Sequence, residues 1–282
     1  MFSVKSNLWA KIQTFLLVLA FLFPFLLKKL NIQITCKGES DWFVIDVSNA
    51  GLPTWVMLTV TGLILSGMLC HFFRQENKDM VFNCGNDYKK SPFLWYKFCS
   101  AILGYRECNL MGVPLASIAR LVIDDTFLNY NYGEINELKE SDTIRVIDSW
   151  ERDLKPNAGT REINLIVMDT YEIKRSAVDS IMQNKPMPTL IVSRERVGKE
   201  GRWYVPQFAS IIWKQLNELE KEQRKQIKKV NFYTTANPRN MKDIVEKVFR
   251  TYGRGNVKTL VVYQQNDTEE RLFEKKGVKI KL

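Results

Sequence analysis

Residues 8–27 read LWAKIQTFLLVLAFLFPFLL and residues 52–73 read LPTWVMLTVTGLILSGMLCHFF, and these two apolar stretches decide the fold of the chain. The hydrocarbon core of a bilayer is about 30 Å thick, and an α-helix crosses it in about 20 residues. Each stretch has that length, and no comparable run follows position 73. The sequence therefore predicts a transmembrane hairpin over residues 1–74, with a short extracytoplasmic loop between its helices.

Basic residues near the ends of the two stretches predict the orientation of the hairpin. Lys5 and Lys11 lie at the amino end of the first stretch, and Arg74 and Lys78 follow the second. The loop between the stretches carries three lysines, which three acidic residues offset. Because cytoplasmic segments carry the excess of basic residues, we predict a multi-pass protein of the inner (cytoplasmic) membrane with both termini in the cytoplasm. A cleaved signal peptide is the alternative for the first stretch, but no small-residue cleavage pattern precedes Lys28.

The second stretch contains Gly62 and Ser66, which stand four residues apart and form a stripe of small side chains. Such a stripe lets two membrane helices approach closely. Two interpretations stay open at this point. The stripe packs against the first stretch of the same chain, or it drives association between copies of the chain.

The rest of the chain is predicted to form a connector and a domain. Residues 75–140 are a predicted juxtamembrane helical connector, whose aromatic segment PFLWYKFCSAILGY is too short to span a bilayer and suits a buried or interface-lying helix. From about residue 141, apolar strands alternate with amphipathic helices. This alternation predicts a mostly parallel sheet covered on both faces, a three-layer α/β (Rossmann-like) cytosolic domain over residues 141–282.

The soluble part lacks the common catalytic patterns. The one histidine, His71, lies in the second apolar stretch, which excludes Ser-His-Asp triads, Cys-His dyads and His-ligated metals from the domain. The sequence contains no Walker A or Gly-x-Gly-x-x-Gly motif and no Cys-x-x-Cys pair. We therefore predict no catalytic residue, no metal site and no cofactor, and favour a binding protein over an enzyme.

A membrane-tethered, metal-dependent nuclease or nucleotide-processing enzyme is the alternative. Glu172-Ile173-Lys174 follows a predicted strand, and acidic residues precede it at Asp148, Asp153 and Glu162. In such enzymes paired acids hold Mg²⁺ and a lysine stabilises the charged phosphate.

The segment TTANPRN, residues 234–240, is the candidate ligand site. It lies between a predicted strand and a predicted helix, where open parallel sheets bind ligands and where a helix N-terminus favours anions. The predicted ligand-binding residues are Thr234, Thr235, Asn237, Arg239 and Asn240. The alternative is that an asparagine caps the helix and the remainder is turn chemistry.

The charge balance favours anionic partners. The chain carries 41 basic and 31 acidic residues, and most of the basic excess follows the apolar stretches. A basic domain beside a membrane fits a phosphorylated nucleotide, a nucleic acid or an anionic lipid surface.

The layout of an apolar hairpin followed by a cytosolic α/β domain resembles the two-transmembrane effectors of prokaryotic antiphage defence systems, of the retron, cyclic-oligonucleotide or CRISPR-accessory type. TTANPRN is similar to the ligand-facing turn of CRISPR-associated Rossmann sensor domains. The resemblance implies a cytosolic sensor whose activation impairs the inner membrane. The implied partners are the lipid bilayer, a nucleotide second messenger or nucleic acid, and a defence-system partner protein, with a homo-oligomer as the active state.

Overall fold

The structure is a computed structural model. It describes residues 6–29, 53–84, 91–133, 135–137, 144–148, 161–174, 176–178, 187–194, 203–223, 226–251, 256–266 and 271–282. The chain divides into two compact units, one of Met1–Gly85 with Lys97–Cys108 and one of Asn86–Tyr96 with Asn109–Leu282. The extracytoplasmic loop of the predicted hairpin falls on residues outside the described part. As domain limits, the ranges 1–74, 75–140 and 141–282 stay a prediction.

The first unit contains two long apolar helices, α1 (Ser6–Lys29) and α2 (Thr54–Asn77). Both are long and apolar enough to cross a membrane, with mean hydropathy of 2.0 and 1.9 over their most apolar segments. Their outward side chains are large, apolar and exposed, as Phe15 and Met68 show at 66% and 68%. A helix in the core of a water-soluble protein would bury such side chains, so this surface suits a lipid environment.

α1 and α2 pack directly on each other through small residues of α2. A Cβ atom placed on Gly62 would lie 2.4 Å from the carbonyl oxygen of Phe21, so only glycine permits this approach. One turn later, the Ser66 hydroxyl donates a hydrogen bond of 3.1 Å to the Leu17 carbonyl. Gly62 and Ser66 therefore serve packing within one chain, and association between copies through them stays a prediction.

A buried pair of amides joins the two helices near the amino end of α1. Gln13 and Asn77 are both fully buried, and their side chains exchange two hydrogen bonds of 3.0 Å. The Asn77 amide also donates to the Leu103 carbonyl at 2.7 Å. Because buried amides must be satisfied, this pair fixes α1 to α2 and both helices to the segment around Leu103.

A short helix and two short strands complete the hairpin's surroundings. These are β1 (Val81–Phe82), α3 (Phe93–Ala101) and β2 (Glu107–Asn109), with β1 and β2 paired in parallel. Arg74 donates a hydrogen bond to the Ala101 carbonyl at the end of α3. Gly104 has a φ of +82°, and a Cβ atom placed on it would lie 2.7 Å from the Cα atom of Arg74, so a side chain there would collide with Arg74. The predicted short helix therefore exists, and its end packs on α2.

The second unit is built on a six-stranded sheet with the order β11-β10-β9-β6-β7-β5. Its strands are β5 (Ile144–Asp148), β6 (Glu162–Met168), β7 (Thr189–Arg194), β9 (Lys229–Thr234), β10 (Thr259–Tyr263) and β11 (Val278–Lys281). The four central strands are parallel, and the two edge strands pair antiparallel to their neighbours. The predicted fold class, two N-terminal apolar helices followed by an α/β domain, is confirmed.

Helices cover one face of the sheet. They are α4 (Leu115–Ile123), α5 (Gln207–Gln223) and α6 (Pro238–Ile244), which continues as a π-helix over Val245–Thr251. Phe232 of β9 packs on Phe249 of the π-helix with ring centroids 6.0 Å apart. Three short strands accompany these helices, β3 (Asn129–Asn131), β4 (Asn136–Glu137) and β8 (Trp203–Tyr204), and β4 pairs with β8 in parallel.

The other face of the sheet is covered by a second apolar cluster. It consists of Ile166, Met168, Ile173, Ala177, Val178, Ile191, Tyr233 and Phe273. Ala177 and Val178 lie in a helical segment, of which residues 176–178 are described. Because both faces are covered, the central strands are buried at nearly every position, as parallel strands usually are.

Candidate functional site

The carboxyl ends of β6, β7 and β9 meet at one edge of the sheet, and α6 begins at the same edge. This is the position at which open α/β sheets bind ligands. β7 ends at Arg194, while Asp169 directly follows β6 and Thr235 directly follows β9. Asn237 caps the start of α6. All four side chains are buried, so the edge contains a polar network inside an apolar unit.

Asp169 is the centre of this network. Its Oδ2 atom accepts hydrogen bonds from the Asn237 backbone N–H at 3.1 Å, the Asn237 amide at 3.0 Å and the Asn240 amide at 2.8 Å. Its Oδ1 atom lies 3.6 Å from Nε of Arg194, whose guanidinium also donates to the Asp169 carbonyl at 3.2 Å. One carboxylate therefore ties two strands to the start of α6.

Effects of opposite sign act on the pKa of the Asp169 carboxyl. Burial raises the pKa of this carboxyl above its usual range, while the hydrogen bonds from Asn240 and Asn237 and the charge of Arg194 oppose that rise. The folded state therefore binds this proton more tightly than the unfolded chain does. The contribution of Asp169 to stability is present below the ordinary pKa of aspartate and falls as pH rises through the raised value.

α6 begins at Pro238, three residues before the predicted start at Met241, because Asn237 and Pro238 form a standard helix start. Pro238 occupies the first helical position, where no N–H is needed. Oδ1 of Asn237 accepts hydrogen bonds of 3.0 Å from the backbone N–H groups of Arg239 and Asn240. The Asp169 carboxylate lies against the Asn237 N–H, so the chain's own anion fills the position that the positive helix end favours.

The two threonines of the TTANPRN segment also make hydrogen bonds within the chain. The Thr235 hydroxyl donates to the Tyr171 carbonyl at 2.8 Å and accepts from the Asp169 N–H at 3.1 Å. The Thr234 hydroxyl accepts from the Ala236 N–H at 2.9 Å. Both threonines are buried, so they shape the turn between β9 and α6.

The asparagines reach across to the segment at β8. Asn237 and Asn240 both donate from their amides to the Trp203 carbonyl, at 2.6 and 2.8 Å. Asn240 also accepts a hydrogen bond of 2.8 Å from the Val205 N–H. The structure thus brings the five predicted site residues to one turn and gives all five partners within the chain. Their direct contact with a ligand stays a prediction.

Arg239 is the predicted site residue that reaches the surface of this turn. Its guanidinium carbon lies 3.8 Å from the ring centre of Tyr204 and 5.2 Å from that of Tyr132, and one N–H donates to the Ile135 carbonyl at 3.4 Å. The side chain is half-buried. Burial raises the pKa of Tyr204, and the nearby negative charge of Asp243 raises it further. The Tyr204 hydroxyl donates a hydrogen bond of 3.1 Å to the Asp243 carboxylate.

A second arginine–tyrosine pair lies at the same edge of the sheet, and the sequence did not indicate it. The guanidinium carbon of Arg271 lies 4.2 Å from the ring centre of Tyr171, directly beyond β6. Gln265, just beyond β10, accepts a hydrogen bond from the Tyr171 hydroxyl and donates to the Arg271 carbonyl at 3.0 Å. Arg271 is exposed and has a φ of +48°. No local spacing connects residues 171 and 271, so only the sheet order could have revealed the pair.

The residues of the alternative nuclease pattern are spread over the sheet. Glu162 starts β6 and pairs with Lys229 at 2.9 Å, whereas Glu172 and Lys174 follow the far end of β6 and are exposed. At about 3.3 Å per residue, the two ends of this strand are about 20 Å apart. Asp153 and the side chain of Asp148 lie outside the described residues. Within the described part of the chain, no group of three His, Cys, Asp or Glu residues could hold a metal ion.

The chain matches one family and a group of solved structures. The family model of the SMODS- and Ubiquitin system-associated 2TM effector domain matches residues 2–280. No curated protein matches the sequence. The chain is similar to the Acinetobacter baumannii Cap4 SAVED/CARF-domain containing receptor with the cyclic trinucleotide 3'3'3'-cAAA, at 13% identity and a TM-score of 0.45, over 67% of this chain and 42% of that chain. It is similar to a further structure of this receptor at 9% identity and a TM-score of 0.39, over 67% and 40% of the two chains. The chain thus spans less than half the length of these structures.

Proposed function

The chain belongs to the family of SMODS- and ubiquitin system-associated 2TM effectors, and we propose that its cytosolic unit senses a nucleotide signal that makes its two membrane helices disrupt the inner membrane. As a 2TM effector of prokaryotic antiphage defence, it is a membrane protein. The excess of basic residues outside the loop between the helices supports a topology with both termini in the cytoplasm. The sheet domain then faces the compartment in which a nucleotide signal is made.

The observation that carries the sensing proposal is the pair of arginines at the carboxyl edge of the parallel strands. Arg239 lies on Tyr204, and Arg271 lies on Tyr171. A guanidinium binds phosphate through paired N–H groups, and a tyrosine face can stack on a nucleobase. Two such pairs at the edge where open sheets bind ligands suit a ligand with more than one phosphate.

The network beneath the two arginines gives a route for the signal inside the cytosolic unit. Arg239 is in the first turn of α6. The start of this helix is fixed by hydrogen bonds to the Asp169 carboxylate and by those that the amides of Asn237 and Asn240 donate to the Trp203 carbonyl. A ligand that moves Arg239 therefore acts on a segment joined to β6, β7 and β8. We propose that this change alters assembly into a homo-oligomer or contact with a defence-system partner protein, and that the hairpins then disturb the bilayer.

Arg239→Ala is expected to weaken binding of a phosphorylated ligand by about ten- to a hundredfold, since a hydrogen bond to a charged group contributes about 1.5–3 kcal/mol. Removal of the Arg239 guanidinium from the face of Tyr204 should lower the free energy of unfolding by about 0.5–1 kcal/mol. The measurement is calorimetric titration of the full chain in detergent with cyclic and linear oligonucleotides.

The matched control is Arg250→Ala, because Arg250 is a half-exposed arginine of the π-helix that pairs with Asp125 at 2.7 Å. It should bind like the parent. If no oligonucleotide binds the parent, or if Arg239→Ala binds as tightly as the parent, the turn is only a helix start. The trigger is then a protein or a nucleic acid.

A further inference from the structure

An apolar groove of about 350 Å³ runs along the hairpin between α1, α2 and the end of α3. Val18 and Leu22 of α1, Ser66 of α2 and Phe98 of α3 are among its lining residues. Val18 and Leu22 are also part of the exposed apolar surface of α1, at 52% and 43%. The groove is therefore continuous with the surface that faces the hydrocarbon of the bilayer.

The groove wall offers no free hydrogen-bond donor to water or to a polar ligand. Its two hydroxyl groups already donate within the hairpin, Thr14 to the Ala10 carbonyl at 2.7 Å and Ser66 to the Leu17 carbonyl at 3.1 Å. At membrane depth a groove of this kind is filled by an apolar chain, because an empty one would forfeit dispersion contacts.

The cross-section of the groove indicates which kind of molecule can lie in it. The stretch from Thr14 to Leu22 rises about 12 Å, so 350 Å³ corresponds to a cross-section of about 30 Å². A helix about 10 Å across needs about 80 Å². A whole helix is therefore too wide to lie within the groove, whereas a single hydrocarbon chain fits.

The amino end of the groove carries positive charge. Lys11 is exposed and precedes Val18 by seven residues and Leu22 by eleven, so the three lie on one stripe of α1. Lys97, next to Phe98 in α3, is also exposed. The distance from Lys11 to Leu22 along the helix is about 16 Å, close to the thickness of one leaflet, which is half of about 30 Å. The buried amides of Gln13 and Asn77 mark the same level as the polar end of the hairpin.

We propose that this groove binds one acyl chain of an anionic phospholipid, from the leaflet that borders the amino end of α1, with the lipid phosphate beside Lys11. The acyl chain contacts Val18, Leu22 and Phe98. The lysine attracts the headgroup, since a basic residue near an anionic surface contributes about 1 kcal/mol.

The test uses the full chain in nanodiscs that contain phosphatidylglycerol with a photoreactive group midway along one acyl chain, diluted in phosphatidylcholine. We expect labelling to concentrate in α1 between Thr14 and Leu22 and at the peptide around Phe98. Val18→Trp should fill the groove and strongly reduce this labelling. The matched control is Leu19→Trp, because Leu19 is exposed on α1 without lining the groove, and it should label like the parent.

The headgroup is tested by competition with unlabelled lipids. Phosphatidylglycerol should displace the probe better than phosphatidylcholine, and Lys11→Gln should reduce that preference by about fivefold. Lys29→Gln, at the opposite end of α1, should leave the preference unchanged. Labelling that spreads evenly over the exposed surface and is unchanged in Val18→Trp would overturn the proposal, as would a cross-link to a second copy of the chain from a photoreactive residue placed at position 98.

Discussion

Asp169→Leu is expected to destabilise the sheet domain by about 3–5 kcal/mol, because it removes the carboxylate that balances the buried guanidinium of Arg194. The same change removes the acceptor of three hydrogen bonds at the start of α6. The measurement is chemical unfolding of the full chain in detergent, followed by tryptophan fluorescence, with Trp203 and Trp213 as reporters in this unit.

Two further variants separate this network from ordinary surface charge. Glu162→Gln removes the exposed ion pair with Lys229 at the opposite end of the same strand, and we expect a loss of about 0–1 kcal/mol. Asp169→Leu with Arg194→Leu removes both buried charges and should be less destabilised than Asp169→Leu alone. Additive losses in the double variant would show that the two residues do not act as a pair.

Gly62→Leu is expected to force α1 and α2 apart. The added Cβ would lie 2.4 Å from the Phe21 carbonyl oxygen, and backbone at that distance must move. Overpacking of this kind costs about 1–3 kcal/mol, and separation of the helices would also break the bond from Ser66 to the Leu17 carbonyl. Heat denaturation of the purified full chain in detergent should show a midpoint several degrees lower than that of the parent.

Gly67→Leu is the matched control on the same helix. A Cβ atom on Gly67 meets no other atom within 4 Å, so a leucine there extends into the lipid-facing space. Its midpoint should equal that of the parent. Equal losses for Gly62→Leu and Gly67→Leu would mean that α1 and α2 do not pack through Gly62.

The membrane hairpin and the α/β class were predictable because both depend on local patterns. Apolar runs of about 20 residues identify α1 and α2 without any knowledge of their partners. Likewise, INLIVM and TLIVS each contain three or more consecutive apolar residues, which indicates strands buried on both faces. The start of α6 was also within reach, since Asn237 and Pro238 form a recognisable cap and first turn.

The contents of the site were less predictable because they depend on which strands are neighbours. Asp169 and Arg194 come together because β6 and β7 pair in parallel, and Arg271 meets Tyr171 across a hundred residues of sequence. TTANPRN drew attention to the correct edge of the sheet. The sequence contained a usable signal for Asp169 and Arg194, in that a charged residue ends or directly follows an apolar strand. Such a residue is buried at the sheet edge and needs a partner there.

The central claim is that this membrane effector acts by disrupting the inner membrane, and membrane potential tests it most directly. A potential-sensitive dye would be followed in cells that express the full chain at high level, and in cells that express residues 74–282 to the same level. The account predicts collapse of the potential with the full chain and a normal potential without α1 and α2. A normal potential in cells whose membranes contain the full chain, with and without an activating defence system, would contradict it.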